Sequence, residues 1–211
     1  MRALYVTHPQ VQLDPDVPVP QWGLSGEGRG RAEALAARGV VPEGAWIFSS
    51  DERKAMELAD ILAATIGGVV RTDPLMGEND RSATGFLPPA EFEAHADCFF
   101  AAPEVSVGGW ERAIDAQSRI VRAVAAALGN VPDDVPVVFC GHGAVGTLLK
   151  CHVAGRPIHR GEDQRRQAHS GGGNCFSFDL FRKQLGSEWT LMEAFAPDWF
   201  VAPVAAPGQL L

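Results

Sequence analysis

The chain has 211 residues, of which 46% are hydrophobic and 21% charged, and its formal net charge is −8 at pH 7. This length and composition predict one globular domain, residues 1–211, that can bury most of its apolar surface. The negative charge argues against a nucleic-acid partner, because such a partner requires a clustered basic face.

Cysteine usage and hydropathy suggest the compartment. The four cysteines show neither Cys-x-x-Cys spacing nor zinc-ligand spacing, so we expect free thiols in a reducing environment. The first residues run directly into a strand, and no stretch is as long and apolar as a transmembrane helix. We therefore expect a cytoplasmic protein without a membrane partner.

The first half of the chain alternates strand and helix patterns. Residues 3–6 form an apolar strand that runs into Thr7-His8-Pro9, and a helix follows after a proline-rich loop. Residues 45–48 form a second buried strand. Ser49 and Glu52 then match the S-x-x-E capping box, which predicts that a helix begins at this point.

The middle and the end of the chain are less regular. After a short strand at residues 69–72, residues 73–109 mix proline, glycine and acidic residues with little periodicity, which predicts an inserted lid without regular structure. Residues 110–128 carry a clear helical pattern. Residues 175–181 and 189–195 predict two strands that neighbour each other at a sheet edge.

One stretch between these parts combines a strand, a glycine turn and a helix. Residues 137–140 are an apolar strand, Gly141-His142-Gly143 follows, and a helical pattern begins at Ala144. Ligands bind at the carboxyl ends of strands in open α/β sheets, and the free N–H groups of a helix start favour anions. His142 is therefore a candidate site residue, although a histidine at a turn can also be purely structural.

The same stretch matches the pattern G-x-G-x-x-G through Gly141, Gly143 and Gly146. A dinucleotide site also requires a following strand with an acidic residue about 20 positions on. The chain has a polar loop at this distance, so we exclude a dinucleotide-binding fold. The alternation of strands and helices instead predicts a three-layer α/β fold, with a mainly parallel sheet and helices on both faces.

Five short motifs in a fixed order resemble the histidine phosphatase (phosphoglycerate mutase-like) superfamily, from residue 3 to about residue 195. The family motif R-H-G is similar to Thr7-His8-Pro9, and L-T-x-x-G-x-x-Q-A is similar to residues 24–32. The motif S-S-P-L-x-R-A-x-x-T-A is similar to residues 49–59, L-x-E to Met76-Gly77-Glu78, and H-G to His142-Gly143.

The resemblance implies a phosphomonoesterase that acts on a small phosphorylated metabolite through a phosphohistidine, without a metal or other cofactor. It assigns nucleophilic attack to His8, stabilisation of the phosphoryl oxygens to His142 and a cation at Lys54, and protonation of the leaving group to Glu78. Further candidate contacts to the substrate are Arg53, Thr7, Gly143 and Arg81.

The chain departs from the family pattern on both sides of the proposed nucleophile. Thr7 stands in place of the arginine that would clamp phosphate, and Pro9 stands in place of glycine and lacks an N–H donor. Lys54 lies one helical turn before Leu58 on the buried stripe, so we expect Lys54 rather than Arg53 to face the phosphate. Arg81 is a candidate to replace the missing clamp.

Three alternatives remain open from the sequence. A degenerate family member could bind a phosphorylated ligand or a partner without turnover, since two donors beside His8 are missing. Glu78 lies among other acidic residues and could be a solvated surface charge. A metal site of His8, His142 and Glu78 is chemically conceivable, but anion-receptive helix starts fit a phosphate better. A mutase is disfavoured, because the chain has no long basic segment.

Overall fold

A computed structural model describes residues 2–200 of the chain. A seven-stranded sheet forms the centre of the molecule. Four parallel strands, in the spatial order β3, β2, β4, β1, form one side of it: β1 Ala3–Thr7, β2 Trp46–Ser49, β3 Val70–Thr72 and β4 Val137–Gly141. Three antiparallel strands complete the other side: β5 Asn174–Asp179 beside β1, and β6 Gln184–Leu185 and β7 Thr190–Leu191 beside β5.

Helices cover both faces of this sheet, as the alternating pattern predicts. They are α1 Gly26–Ala37, α2 Arg53–Ile66, α3 Pro89–Ala101, α4 Ala113–Leu128, α5 Gly143–Ala154 and the short α6 Gln164–Gln167. Leu4 and Val6 of β1 pack on the side of α1 and α2, whereas Tyr5 packs on the side of α4 and α5. Side chains of a strand alternate between faces, so each strand contributes to two cores. The predicted three-layer α/β class is confirmed.

Residues 73–109 differ from the prediction, because they contain helix α3. Its apolar side chains Phe92, Ala96, Phe99 and Phe100 recur at helical spacing. The last three of them are buried, and Phe99 and Phe100 belong to the main core. Proline at the first helical position suits a helix start. The composition of the segment thus concealed a short amphipathic helix.

The capping box predicted at Ser49 and Glu52 is also wrong. Helix α2 begins at Arg53, Glu52 itself is the N-cap residue, and no side chain caps the helix. The Ser49 hydroxyl has no hydrogen-bond partner within residues 2–200. The reason lies in the tertiary structure, since the Glu52 carboxylate bonds to other groups that are described below.

The cysteines are free thiols in the structure. Cys140, Cys151 and Cys175 are buried and Cys98 is exposed. None of the helices within residues 2–200 is long and apolar enough to cross a membrane.

Candidate functional site

Two histidines meet at the carboxyl edge of the parallel strands. Strands β1 and β4 are neighbours, Thr7 is aligned with Gly141, and the next residue of each strand is a histidine. The N–H of His8 donates to the Gly141 carbonyl at 2.9 Å. The ring centroids of His8 and His142 are 5.2 Å apart, with the ring planes at 70°. Both imidazoles can therefore contact one small ligand.

The ring of His8 has a defined tautomer. Its Nδ1 lies 2.9 Å from the Pro9 carbonyl oxygen, and because a carbonyl only accepts, Nδ1 must carry the proton. The lone pair of the neutral ring is then on Nε2. Burial, and next the charge of Lys54, lower the pKa of His8 to about 4. The ring is therefore neutral at pH 7, as a nucleophile requires.

The ring of His142 is fully buried. Its Nε2 lies 2.7 Å from the Ser50 hydroxyl and 3.4 Å from Glu52 Oε1, and its Nδ1 has no hydrogen-bond partner within residues 2–200. Burial lowers the pKa of His142 to about 4, although the Glu52 carboxylate acts in the opposite direction. This ring is also neutral, and its Nδ1 is a buried polar atom whose hydrogen-bonding capacity is unused within residues 2–200.

Tyr5 holds the backbone of His142 and explains two glycines of the G-x-G-x-x-G pattern. The Tyr5 hydroxyl accepts from the His142 N–H at 3.0 Å and lies 3.2 Å from the His142 carbonyl. A Cβ on Gly141 would lie 2.3 Å from this hydroxyl, and a Cβ on Gly146 would lie 2.5 Å from the Tyr5 ring. These two glycines make room for a tyrosine that positions the turn.

Lys54 and Arg53 lie in different places, as their positions on the predicted helix suggest. The Lys54 side chain is 4% exposed, and its ammonium donates to the Glu52 carboxylate and to the Val19 carbonyl. The Arg53 side chain is 65% exposed and pairs with Glu57. Arg53 therefore does not join the cluster around the histidines.

Glu52 is a site residue that the sequence did not indicate. Its carboxylate bonds to Lys54, lies beside His142 and accepts the N–H of Glu78 at 2.8 Å. Burial opposes ionisation of this carboxyl, but His142 and Lys54 outweigh burial and hold its pKa below the usual range. The negative charge of Glu52 thus offsets the positive charge of Lys54. The only sequence signal was a glutamate where the family motif has leucine.

Glu78 caps the start of helix α5. Its Oε2 accepts the N–H of Ala144 at 3.1 Å, and its Oε1 accepts the N–H groups of Val145 and Asn79 at 3.0 and 3.1 Å. Within residues 2–200 the N–H of Gly143 remains without a partner. The protein's own carboxylate therefore occupies part of the helix start that we expected to bind an anion.

Arg81 is a partly buried cation without an anionic partner. Its guanidinium lies over the rings of Phe92 and Trp110, 5.2 and 5.6 Å from their centroids. Within residues 2–200 its side chain makes neither an ion pair nor a hydrogen bond. Its charge is close enough to His8 to contribute to lowering the pKa of that ring.

Thr7 belongs to a buried polar network. It is 1% exposed, and its hydroxyl accepts from the Asn174 N–H at 3.0 Å and lies 2.7 Å from Gln164 Oε1. The sequence did not single out Gln164 or Asn174, because both belong to or adjoin a polar loop without a motif. No three His, Cys, Asp or Glu side chains among the described residues are grouped as a metal ion would require.

Comparisons with known proteins agree with the fold. The histidine phosphatase superfamily (branch 1) profile matches residues 7–177, whereas a search of curated proteins finds no match. A mycobacterial glucosyl-3-phosphoglycerate phosphatase solved with inorganic phosphate has 22% identity and a TM-score of 0.74, over 92% of this chain and 99% of that one. YhfR of Bacillus stearothermophilus has 18% identity and a TM-score of 0.73, over 93% and 98% of the two chains. The profile match over most of the sequence shows that this chain belongs to the histidine phosphatase superfamily.

Proposed function

We propose that this protein is a phosphomonoesterase that acts on a small phosphorylated metabolite through a phosphohistidine on His8. The observation that carries the proposal is the pair of neutral imidazoles, 5.2 Å apart, at the carboxyl ends of adjacent parallel strands. Family membership, and a neighbour that is named as a phosphatase, support the same reaction class.

The chemistry begins with His8 Nε2, whose lone pair attacks phosphorus while the ester oxygen leaves with its bonding electrons. Water then attacks the phosphohistidine, which releases inorganic phosphate and restores the neutral ring. In the tautomer in which the Ser50 hydroxyl donates to His142 Nε2, Nδ1 carries the proton. A phosphoryl oxygen would then accept hydrogen bonds from His142 Nδ1 and from the N–H of Gly143, which have no other partner in the described residues. A buried donor without a partner costs about 1–3 kcal/mol, and bound phosphate would remove that cost.

The positive charge for the phosphate comes from Arg81 in this proposal. Lys54 is paired with Glu52, whereas Arg81 has no ion-pair partner in the described residues. A guanidinium can donate two parallel hydrogen bonds to a phosphoryl group. Arg81 would therefore supply the clamp that Thr7 does not supply.

The leaving group would receive little help from an acid. The family resemblance implies that Glu78 protonates the leaving oxygen, yet both Glu78 oxygens accept N–H groups at the start of α5. Esters with acidic leaving groups need no proton. We therefore expect aryl phosphates to react faster than alkyl phosphates.

The direct test is turnover of para-nitrophenyl phosphate with a chelator present, which removes contributions from contaminating metal-dependent phosphatases. In the wild type, rapid alkaline denaturation followed by mass spectrometry should detect a phosphorylated protein. His8→Ala should show neither turnover nor this phosphorylated protein. Equal turnover by wild type and His8→Ala would contradict the proposed nucleophile.

A second candidate function is binding of a phosphorylated ligand without turnover. The Glu52–Lys54 pair favours it, because a carboxylate next to Lys54 offsets the positive charge that would stabilise the charge developing in a transition state. Retained binding of inorganic phosphate by wild type, with no turnover over a panel of aryl and alkyl esters, would support this second function.

A further inference from the structure

Two backbone groups determine the orientation of the Asn174 side chain. The His169 N–H donates to Asn174 Oδ1 at 2.9 Å, and Asn174 Nδ2 donates to the His169 carbonyl at 2.8 Å. A backbone N–H only donates and a backbone carbonyl only accepts. The amide of Asn174 therefore cannot be flipped.

This orientation in turn determines the orientation of Gln164. Asn174 Nδ2 lies 2.7 Å from the nearer atom of the Gln164 amide, which must be the acceptor Oε1. Thr7 points to the same atom, because its hydroxyl already accepts the Asn174 N–H and so can donate to Gln164 Oε1 at 2.7 Å. Two donors thus converge on Oε1, and the other end of the amide is the NH2 group.

The NH2 group of Gln164 lies against the turn that carries His142. A Cβ on Gly143 would lie 2.2 Å from Gln164 Nε2, so the second glycine of the turn makes room for this amide. Within residues 2–200 Nε2 has no hydrogen-bond partner. Gln164 is 6% exposed and lines a small cavity of about 40 Å³ together with Gly143, Ala144 and Arg81.

We infer that Gln164 donates a hydrogen bond from Nε2 to the phosphoryl group, and that Thr7 and Asn174 are positioning residues for this donor. Gln164 contacts both the residue before His8 and the residue after His142, so its amide bridges the two histidine turns. The inference rests on the proposed phosphatase function and deepens it. Gln164 then adds a neutral donor beside the charge of Arg81, on the side of the site where Thr7 stands in place of arginine.

The test uses para-nitrophenyl phosphate turnover and the binding of orthovanadate. Gln164→Glu keeps an acceptor for Thr7 and Asn174 but replaces the NH2 donor with a carboxylate oxygen, and Gln164→Met removes the amide at similar size. Each should lower kcat by about 100-fold and weaken vanadate binding, as expected for loss of one donor to the transition state. The control is Arg166→Gln on the same short helix, because the exposed Arg166 side chain makes only a 3.7 Å ion pair with Asp97 in the described residues; it should leave both unchanged.

The positioning role needs a separate readout. Thr7→Val should lower kcat in the same direction as Gln164→Met, and Thr7→Ser, which keeps the hydroxyl, should restore it. In the double variant Thr7→Val/Gln164→Met, kcat should be no lower than in Gln164→Met alone. The reason is that both substitutions act on the same donor, the Nε2 group of Gln164. Multiplicative effects would contradict the positioning role of Thr7.

Three outcomes separate this inference from the proposed function. An active wild type with both Gln164 variants folded and within about threefold of its kcat would overturn the inference alone, since loss of a transition-state donor costs far more. An equal loss of kcat in Arg166→Gln would also overturn it, because the effect would then belong to the helix. A wild type that neither turns over the ester nor binds vanadate would overturn the proposed function and the inference together.

Discussion

Neutralising Glu52 should strengthen anion binding. The variant Glu52→Gln removes the negative charge beside Lys54 and His142, but it keeps a carbonyl oxygen that can accept the N–H of Glu78. Lys54 would then be free to attract a phosphate. We expect tighter binding of inorganic phosphate and of vanadate than in the wild type.

The magnitude follows from the distances in the site. The distance from Glu52 to a bound phosphate has two parts. Glu52 Oε1 lies 3.4 Å from His142 Nε2, and the width of the imidazole ring plus one hydrogen bond to a phosphoryl oxygen adds about 5 Å. Two unit charges about 8 Å apart repel by about 2 kcal/mol at an effective dielectric constant of about 20. Loss of this repulsion should lower the dissociation constant of the anion about thirtyfold for each unit of ligand charge.

The same variant should be less stable without a ligand. Lys54 is 3% exposed, and breaking a buried ion pair by removing one partner costs about 3–5 kcal/mol. Chemical denaturation should therefore show a lower free energy of unfolding, and added phosphate should restore part of it.

The measurements are isothermal titration with phosphate and urea denaturation with and without phosphate. Glu57→Gln is a matched control on α2, because Glu57 pairs with the exposed Arg53; we expect its phosphate affinity to equal that of the wild type. A folded Glu52→Gln protein with unchanged or weaker phosphate affinity would refute the electrostatic reasoning.

Three further predictions concern other site residues. Burial and Lys54 lower the pKa of His8 to about 4. After correction for the ionisation of the ester itself, whose second pKa is about 6, kcat/KM should stay level as pH falls from 7 to 5 and decrease only near pH 4, where protonation removes the lone pair. A decrease of the corrected kcat/KM centred near 6.5 would contradict the lowered pKa of His8. Glu78→Gln should slow aryl and alkyl phosphates by the same factor, because Glu78 caps α5, and a larger loss for alkyl esters would show that it acts as an acid. Arg81→Gln should weaken phosphate binding at least tenfold and reduce its salt dependence, whereas Arg53→Gln, which changes an exposed arginine, should match the wild type in the same titration.

Local patterns were sufficient to predict the fold class and the position of the two histidines. Apolar runs followed by glycine or proline marked the ends of β1 and β4, and parallel strands bring such ends to one edge. Helical spacing also distinguished Lys54 from Arg53, because burial on a helix follows the 3.6-residue period. Helix α3 was missed because exposed apolar residues on its other faces, Ala90, Ala94, Cys98 and Ala101, obscure the buried stripe. The helix also lies within a segment rich in proline, glycine and acidic residues.

The partners of the polar side chains depended on the tertiary structure. Thr7 and Gln164 are 157 residues apart in sequence but share a hydrogen bond, and Glu52 matches a local capping motif but bonds to Lys54 and lies beside His142. A short motif specifies which residue types lie near one another along the chain, whereas a buried polar group bonds to whatever donor or acceptor the packed core brings within reach. Strand and helix patterns are therefore visible in the sequence, and the donors around the candidate phosphate site are visible only once the chain is folded.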